Sequence, residues 1–357
     1  MSSSGTEPAT RATVSASRPR RWWLPWLRGA VQLVVAALLI EYLVVPRLVG
    51  SGRSLRLLVD VDGPWLPAAV VCELASLVAF AFATRAILRS ETRPRWWTIL
   101  RVDLSTIAVS HVLPAGSATG TAVGVRLLSR AGVSVAEATF AKVGQGVIAA
   151  LLLQVLLWVG AAASITSHVT SPIYLAAFGM GLAMVVVVVL GVVVLRRLRA
   201  PIGRVLDRLT RRIPRLADDA GSRFVGRIGD EVDLVLAQQH RLHGAAVWSL
   251  ANWIFDAGAL FAALMAFASG GPGYGEILLA FGVANILNWV PITPGGLGLV
   301  EGALIPLLIG LGTAHADATL GVLAWRLVSF WLPIPLGALA YASLRWSWRS
   351  PGRRTPA

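Results

Sequence analysis

Apolar stretches long enough to cross a bilayer recur along this sequence, at about 29–46, 64–89, 135–164, 171–195, 244–269 and 316–344. A hydrocarbon core about 30 Å thick needs about 20 residues of apolar helix, and the helices of soluble domains are seldom so long and so free of charge. The recurrence sets the class: an all-α polytopic integral membrane protein. Composition agrees with it. Of 357 residues, 56% are hydrophobic and 14% charged, where a soluble chain carries about 25% charged residues. The 35 Gly and 19 Pro are tolerated in transmembrane helices, whose neighbours re-satisfy the freed backbone groups. The one cysteine, Cys72, lies inside an apolar run, which excludes a disulfide framework and a thiolate metal site.

The net charge of +14 is not a nucleic-acid signature, because of where the charge sits. Of the 32 basic residues only Lys142 is lysine, and the arginines cluster between apolar runs. Basic loops lie at 18–28, 85–101, 126–142, 196–227 and 345–354, whereas 165–172, 269–276 and 310–317 contain no Lys or Arg. That asymmetry puts the basic loops in the cytoplasm, against an anionic membrane surface. The loop 47–63 is the exception, with Arg47, Arg53 and Arg56 partly offset by Asp60 and Asp62. A collar of Arg18, Arg20, Arg21, Arg28, Trp22, Trp23 and Trp26 precedes the first run, and no small-residue cleavage site follows it. The first run therefore reads as an uncleaved anchor.

Two further apolar units, 97–130 and 275–311, are short and broken by Pro and Gly. The first has basic residues on both flanks, so it enters from the cytoplasm and returns there. The second has none on either flank, so it enters and returns from outside. The expected fold is about six full spans plus two oppositely oriented re-entrant helical hairpins, with both termini cytoplasmic in the cell membrane. Residues 1–20 read as a disordered tail, 21–195 as a first transmembrane half and 196–243 as a cytoplasmic amphipathic elbow. A second half at 244–345 and a basic tail at 346–357 complete the organisation. In the elbow, Leu198, Ile202, Val205, Leu206, Leu209 and Ile213 recur at helical spacing with arginines on the other faces.

An internal repeat supports the two halves independently. A shift of 180 residues aligns Pro114-x-Gly116 with Pro294-x-Gly296, Leu127–Leu128 with Leu307–Leu308 and Gly132 with Gly312. The same shift, without a gap, aligns Ala136-Glu137-Ala138-Thr139 with Ala316-Asp317-Ala318-Thr319. Inverted repeats with broken helices are a recurrent transporter architecture.

The segment Asn288-Trp-Val-Pro291-Ile-Thr293-Pro294-Gly295-Gly296-Leu-Gly298-Leu-Val-Glu301-Gly302 resembles the Pro-Gly-Gly-Leu-Gly-x-x-Glu signature of the lysylphosphatidylglycerol synthase transmembrane (flippase-like) family. Ala324-Trp325-Arg326-Leu327 with Trp331-x-Pro333, and His111-Val-Leu113-Pro114-Ala-Gly116 with Arg126 and Leu127–Leu128, are similar to its other motifs. The resemblance spans about 25–345 and implies the translocation half only, without the family's C-terminal aminoacyltransferase domain. It implies a phospholipid or lipid-linked substrate, with a separate lipid-modifying enzyme as a candidate partner. The helix bearing Lys142 and Gln145 departs from the Arg- or Asp-bearing helix that the resemblance implies there.

The residues carry their own physical reading. Gly295, Gly296 and Gly298 permit a sharp turn and close approach of a headgroup, and Pro291 and Pro294 free backbone carbonyls. Helical arms starting near Ser117 and Leu297 direct their N-termini at the two tips, which suits an anionic phosphate. Glu301 lies roughly 7 Å from its tip and Arg326 near 15 Å below the outer surface at helical rise, so the depths match and the two are expected to pair. Asn252 and Asp256, one turn apart, with Asn285 and Asn288, could continue a polar path, although an interhelical hydrogen bond accounts for each singly. The candidate path or headgroup residues are thus Pro114, Gly116, Arg126, Pro294, Gly295, Gly296, Gly298, Glu301, Arg326, Asn252, Asp256 and Asn288.

Other readings remain open at this stage. His111 at the first tip fits a headgroup ligand or a packed histidine, and His240-x-x-His243 lacks a third metal ligand. Asp60-Val-Asp62 fits the metal-holding acidic pair of a polytopic glycosyltransferase using a lipid-linked sugar, or a turn at Asp-Gly-Pro. The elbow fits a scaffold for a separate lipid synthase. No Ser-His-Asp, Walker or zinc-hydrolase spacing occurs, so no enzyme, metal or cofactor is expected.

Overall fold

The structure, a computed structural model, describes residues 63–89, 91–113, 116–164, 172–210, 220–237, 239–267, 273–287 and 294–349, and among them all regular structure is helical. Helix α1 (Trp65–Ile87) starts where Pro64 fixes the entry, with the Ala68 N–H donating to the Pro64 carbonyl at 2.9 Å. It stops at Leu88, whose backbone turns extended ahead of Pro94. Helices α2 (Trp96–Val112) and α3 (Gly116–Arg130) form the first broken unit, and α4 (Val135–Ser164) follows it. After α5 (Pro172–Arg197) come α6 (Arg199–Thr210), α7 (Ala220–Ala237) and α8 (Gln239–Met265). The second broken unit is α9 (Tyr274–Leu287), a 3-10 turn (Pro294–Gly296) and α10 (Leu299–Gly310). It leads into α11 (His315–Arg326), a π-helical turn (Leu327–Trp331) and α12 (Pro333–Arg349).

Four stretches among the described residues are long and apolar enough to cross a membrane: Trp65–Ile87, Val135–Ala163, Gln239–Met265 and His315–Trp348. The shortest, at 23 residues, reaches about 35 Å at helical rise. This is a multi-pass membrane protein. Six crossings were expected, and four of them fall on these stretches among the described residues. Of the other two, 171–195 falls on α5, whose segment Gly181–Val194 meets Arg199–Arg208 at an 80° bend. The anchor 29–46, the collar, the 1–20 tail and Asp60 with Asp62 lie outside the described residues. On α5, Phe178, Leu182, Val186, Val187, Val189, Leu190, Val193 and Val194 are all exposed, as an apolar helix facing lipid would have them.

Among the described residues, the elbow region contains α6 and α7 and the start of α8. Arg199, at the start of α6, pairs with Asp233 on α7 and lies 3.7 Å from Asp230. The Asp207 carboxylate accepts from the Ser222 N–H at 2.9 Å. Helix α7 also packs on α4, which ties the elbow to the first half.

The repeat is visible in the backbone. Helices α3 and α10 both end in a left-handed glycine, Gly132 at φ 101° and Gly312 at φ 98°. At the first, the Val133 N–H reaches the Leu128 carbonyl at 3.2 Å and the Gly132 N–H reaches Ser129 at 3.2 Å. At the second, Thr313 reaches Leu308 and Gly312 reaches Ile309, both at 3.0 Å. Each is a complete Schellman motif, which satisfies the last carbonyls of the helix. One turn further on, Thr139 donates to the Val135 carbonyl and Thr319 to the His315 carbonyl, both at 2.7 Å.

Tertiary packing exchanges partners in the same register. Helix α1 and its repeat mate α8 pack against each other. Helix α2 packs on α12, and its mate α9 packs on α4, the mate of α11–α12. This is a two-fold relation between halves. Small residues permit the close approach: a Cβ added at Gly337 would lie 2.2 Å from the Leu104 carbonyl oxygen, and one at Gly160 would lie 2.6 Å from the Leu279 nitrogen.

Candidate functional site

The segment Pro294-Gly295-Gly296-Leu297-Gly298 turns the chain into α10. Gly295, Gly296 and Gly298 have φ of 56°, 69° and 81°, a left-handed region that costs other L-residues about 1–2 kcal/mol. Gly295 also has no room for a side chain, since a Cβ there would lie 2.2 Å from the Phe330 ring. At Gly298 nothing lies within 4 Å, so backbone conformation alone demands glycine.

Glu301, in the first turn of α10, reaches back to this turn. Its Oε2 accepts from the Gly298 N–H at 2.6 Å, an acidic cap on a helix N-terminus. Its Oε1 accepts from Nε of Arg326, the last residue of α11. Arg326 Nη2 donates to the Gly295 carbonyl at 3.2 Å, and the guanidinium carbon lies 5.0 Å from the Phe330 ring centre. The side chains are 5% (Arg326) and 10% (Glu301) exposed, so neither charge is hydrated and each depends on the other. The ion pair expected from the sequence is present, and it staples the glycine turn to the last long helix. The N-terminus of α10 is already complemented by the Glu301 carboxylate, which leaves less of its field for a phosphate than the sequence suggested.

The network continues in two directions. Trp325 Nε1 donates to Asp256 Oδ1 on α8 at 2.9 Å, and one turn earlier Asn252 Nδ2 donates to Ser76 Oγ on α1 at 2.7 Å. On the other side His111, at the end of α2, lies 3.0 Å through Nδ1 from the Phe330 carbonyl and stacks on the Phe330 ring at 4.5 Å. A carbonyl only accepts, so this contact calls for the tautomer with the proton on Nδ1. Phe330 sits in the π-helical turn ahead of Pro333, a widened stretch of the kind that recurs at functional sites. The 3-10 turn also packs against α2 and α3. The glycine turn of the second broken unit therefore packs against both arms of the first.

Among the candidates named from sequence, Gly295, Gly298, Glu301 and Arg326 share direct bonds, and Asp256 joins them through Trp325. Asn252 serves the α8–α1 contact. Asn285 donates to the Phe281 carbonyl of its own helix at 3.0 Å. Gly116 opens α3, where a Cβ would lie 1.9 Å from the Ser110 carbonyl oxygen. Arg126 is exposed on α3 and takes no part in the network. Pro114 and Asn288 lie outside the described residues.

A second buried ion pair was not foreseen. Lys142 on α4 pairs with Asp103 on α2, with side chains 3% and 1% exposed. Lys142 Nζ also lies 3.4 Å from Thr84 Oγ1, which donates to Gln145 Oε1 at 2.6 Å. The signal was available: one acid and the only lysine, each inside an apolar run, have few other ways to be satisfied. A spacing missed as well is Gly116-x3-Gly120-x3-Gly124, which brings α3 onto α2. A Cβ at Gly120 would lie 1.9 Å from Ser110 Oγ, and one at Gly124 would lie 2.8 Å from Thr106 Oγ1.

Comparison with known proteins fits this arrangement. Residues 16–337 match the family described as the lysylphosphatidylglycerol synthase TM region. A stretch of 93 residues is 28% identical to a UPF0104 membrane protein of Methanothermobacter thermautotrophicus, covering 26% of this chain. The match spans 28% of that protein's length.

Proposed function

We propose that this chain, which belongs to the lysylphosphatidylglycerol synthase transmembrane-region family, is a flippase-like protein that moves a phospholipid or lipid-linked headgroup between the leaflets of the cell membrane. The observation that carries the reading is the meeting of two broken units at a buried, charged junction. Helices α9 and α10, with 14 and 12 residues, reach only about 21 and 18 Å. Neither spans a core of about 30 Å. They suit a hairpin that enters and returns from one side, and the 97–130 unit suits its counterpart from the other. Irregular backbone at membrane depth persists only where protein or a wet cavity satisfies it. Here Arg326 satisfies Gly295 and Glu301 satisfies Gly298.

In this mechanism a headgroup phosphate competes with Glu301 for Arg326, and the acyl chains stay in lipid. Rocking of one half against the other exposes the junction to each leaflet in turn. The topology has six crossings, two opposed hairpins and both termini cytoplasmic, and a separate lipid-modifying enzyme is the partner that would supply or use the lipid. Cysteine accessibility in a Cys72→Ser background tests the topology: position 272 labelled only from the cytoplasm, with 220 labelled only from outside, refutes it.

Transport is tested in proteoliposomes by following a fluorescent phospholipid between leaflets. Wild type is expected to accelerate exchange over empty vesicles, and Arg326→Gln to abolish the acceleration. Exchange no faster than in protein-free vesicles, across anionic and zwitterionic lipids, defeats the reading.

A further inference from the structure

A cleft of about 970 Å³ opens at the arginine-rich end of α1, α2 and α12, lined by Arg85, Arg95, Trp96, Trp97, Thr98, Arg101 and Ser343. Its size is that of a small-molecule site. Among the described residues no carboxylate forms an ion pair with any of these three arginines. Arg101 is oriented by the protein, Nε donating to the Trp97 carbonyl at 3.3 Å and Nη1 to Ser343 Oγ at 3.5 Å. Those bonds leave the outer N–H groups of its guanidinium uncommitted. Next to the cleft, Arg93 has a buried Nε with no partner. Burial, with the charges of Arg85 and Arg241 added, presses its pKa below the usual arginine range. Three arginines thus gather around one hollow, an arrangement suited to an anion.

The positive-inside rule explains arginine in this loop but not its convergence with aromatics. Trp97 stacks on Trp96 at 3.9 Å, and Phe82 lies between Trp96, at 6.0 Å, and Trp248, at 4.7 Å. The aromatic row borders a closed apolar groove lined by Val78, Ala81, Phe82, Arg85, Trp96 and Leu100, too tight to admit a water molecule, so a ligand lies over it rather than in it. Arg85 and Trp96 belong to both cleft and groove. An occupant that satisfies both is anionic at one end and apolar at the other.

We propose that this cleft is a docking site for an anionic glycerophospholipid, with its phosphate on Arg85, Arg95 and Arg101 and its glycerol and first acyl carbons on the Trp96–Phe82 row. Arginine suits the role because its planar fork binds phosphate oxygens in pairs. Thr98 adds a hydroxyl donor for a remaining oxygen, whereas the Ser343 hydroxyl already donates to the Ala340 carbonyl at 2.7 Å and serves to orient Arg101. Tryptophan at the end of an apolar run is the residue expected at headgroup depth. The site shares no residue with the glycine turn and stands whether or not that turn carries lipid. It holds a lipid at the end of α1 that the basic loops put in the cytoplasm.

The test uses the full chain, delipidated in neutral detergent and titrated with phosphatidylglycerol or phosphatidylcholine, with bound lipid counted by native mass spectrometry. One phosphatidylglycerol is expected to bind ahead of phosphatidylcholine. Each of Arg85→Gln, Arg95→Gln and Arg101→Gln weakens it about fivefold, the effect expected of one basic residue at an anionic surface. Trp96→Ala weakens the lipid further while leaving the charge intact. Arg204→Gln, an exposed arginine on α6, serves as the control for net charge. Because Arg95 is exposed, its variant is expected to fold even if changes at Arg85 or Arg101 disturb packing, and intrinsic tryptophan fluorescence checks this. The proposal is overturned if Arg95→Gln binds phosphatidylglycerol as wild type does, or if Arg204→Gln loses as much. It is also overturned if both lipids bind equally, or if inorganic phosphate displaces the lipid at equal concentration, which would mark a free-anion site.

Discussion

Removing one member of the Glu301–Arg326 pair should cost more than removing both, and the structure sets the scale. Glu301→Gln leaves an amide that can still accept from the Gly298 N–H, but Arg326 then stands 5% exposed without its paired carboxylate. Stranding a buried charge in this way costs about 3–5 kcal/mol. Arg326→Gln strands the Glu301 carboxylate instead, which keeps its bond from Gly298, so its cost falls at the lower end of that range. The same change deletes the bond to the Gly295 carbonyl and the contact with the Phe330 ring, about 1 kcal/mol each. The double variant Glu301→Gln/Arg326→Gln carries two neutral amides and no stranded charge. It should fall below either single variant in cost, giving a coupling of about 3 kcal/mol or more in a double-mutant cycle. Denaturant unfolding of the purified protein in mixed micelles, followed by tryptophan fluorescence, supplies the four free energies. Additive single effects would refute the reasoning, because they would mean that each charge is satisfied independently of the other.

The remaining expectations concern neighbouring contacts. Gly295→Ala should lower the unfolding midpoint far more than Gly298→Ala, because only the first adds a collision with Phe330 to the backbone strain of about 1–2 kcal/mol; Gly295→Ala/Phe330→Leu should recover part of the difference in the same assay. Lys142→Met should destabilise by about 3–5 kcal/mol through stranded Asp103, and Asp103→Leu/Lys142→Met should return close to wild type in thermal unfolding. Trp325→Phe removes the donor to Asp256, for about 1–3 kcal/mol, and adds the cost of the smaller ring at a buried position; an unchanged Tm would mean that Asp256 is satisfied elsewhere.

What could be read ahead of the structure was the part that depends on local chemistry. Helix is dictated by apolar length, and the turn at 294–298 by glycines that alone enter positive φ cheaply. The repeat was legible because its markers are local too: Gly132 and Gly312 close Schellman motifs whose hydrogen bonds run within six residues. Pairing across the chain was harder. Glu301 and Arg326 could be matched because they are 25 residues apart on consecutive helices at similar depth. Asp103 lies on the first arm of a broken unit and Lys142 on the helix after it, 39 residues apart with the second arm between them, and Asp103 offered no distinctive surroundings. The cleft between Arg85 and Ser343 was invisible for the same reason, since α2 and α12 meet across 242 residues.

The two halves share a backbone plan but not a polar plan, and that difference bears on how they could move. The 180-residue shift carries Lys142 to Val322, one helical turn before Arg326, while Asp103 falls on Val283 and Glu301 on Thr121. Each half therefore keeps one cation from its long helix and one acid from its broken unit, at non-equivalent positions. In the first half the acid is on the leading arm, so the pair locks α2 to α4 along their lengths. In the second it is on the trailing arm beside the glycines, so the pair locks the turn itself. The Asp103 carboxylate is engaged by the ammonium of Lys142, with Thr84 and Gln145 alongside, and no carbonyl of an irregular turn depends on it. Arg326, by contrast, holds a backbone carbonyl of the turn and faces a neighbouring tip through Phe330 and His111. If one junction opens to admit an anionic headgroup, the physical asymmetry assigns that role to the second, where a phosphate can replace one carboxylate on an arginine, and leaves the Lys142 pair as the rigid half against which it moves.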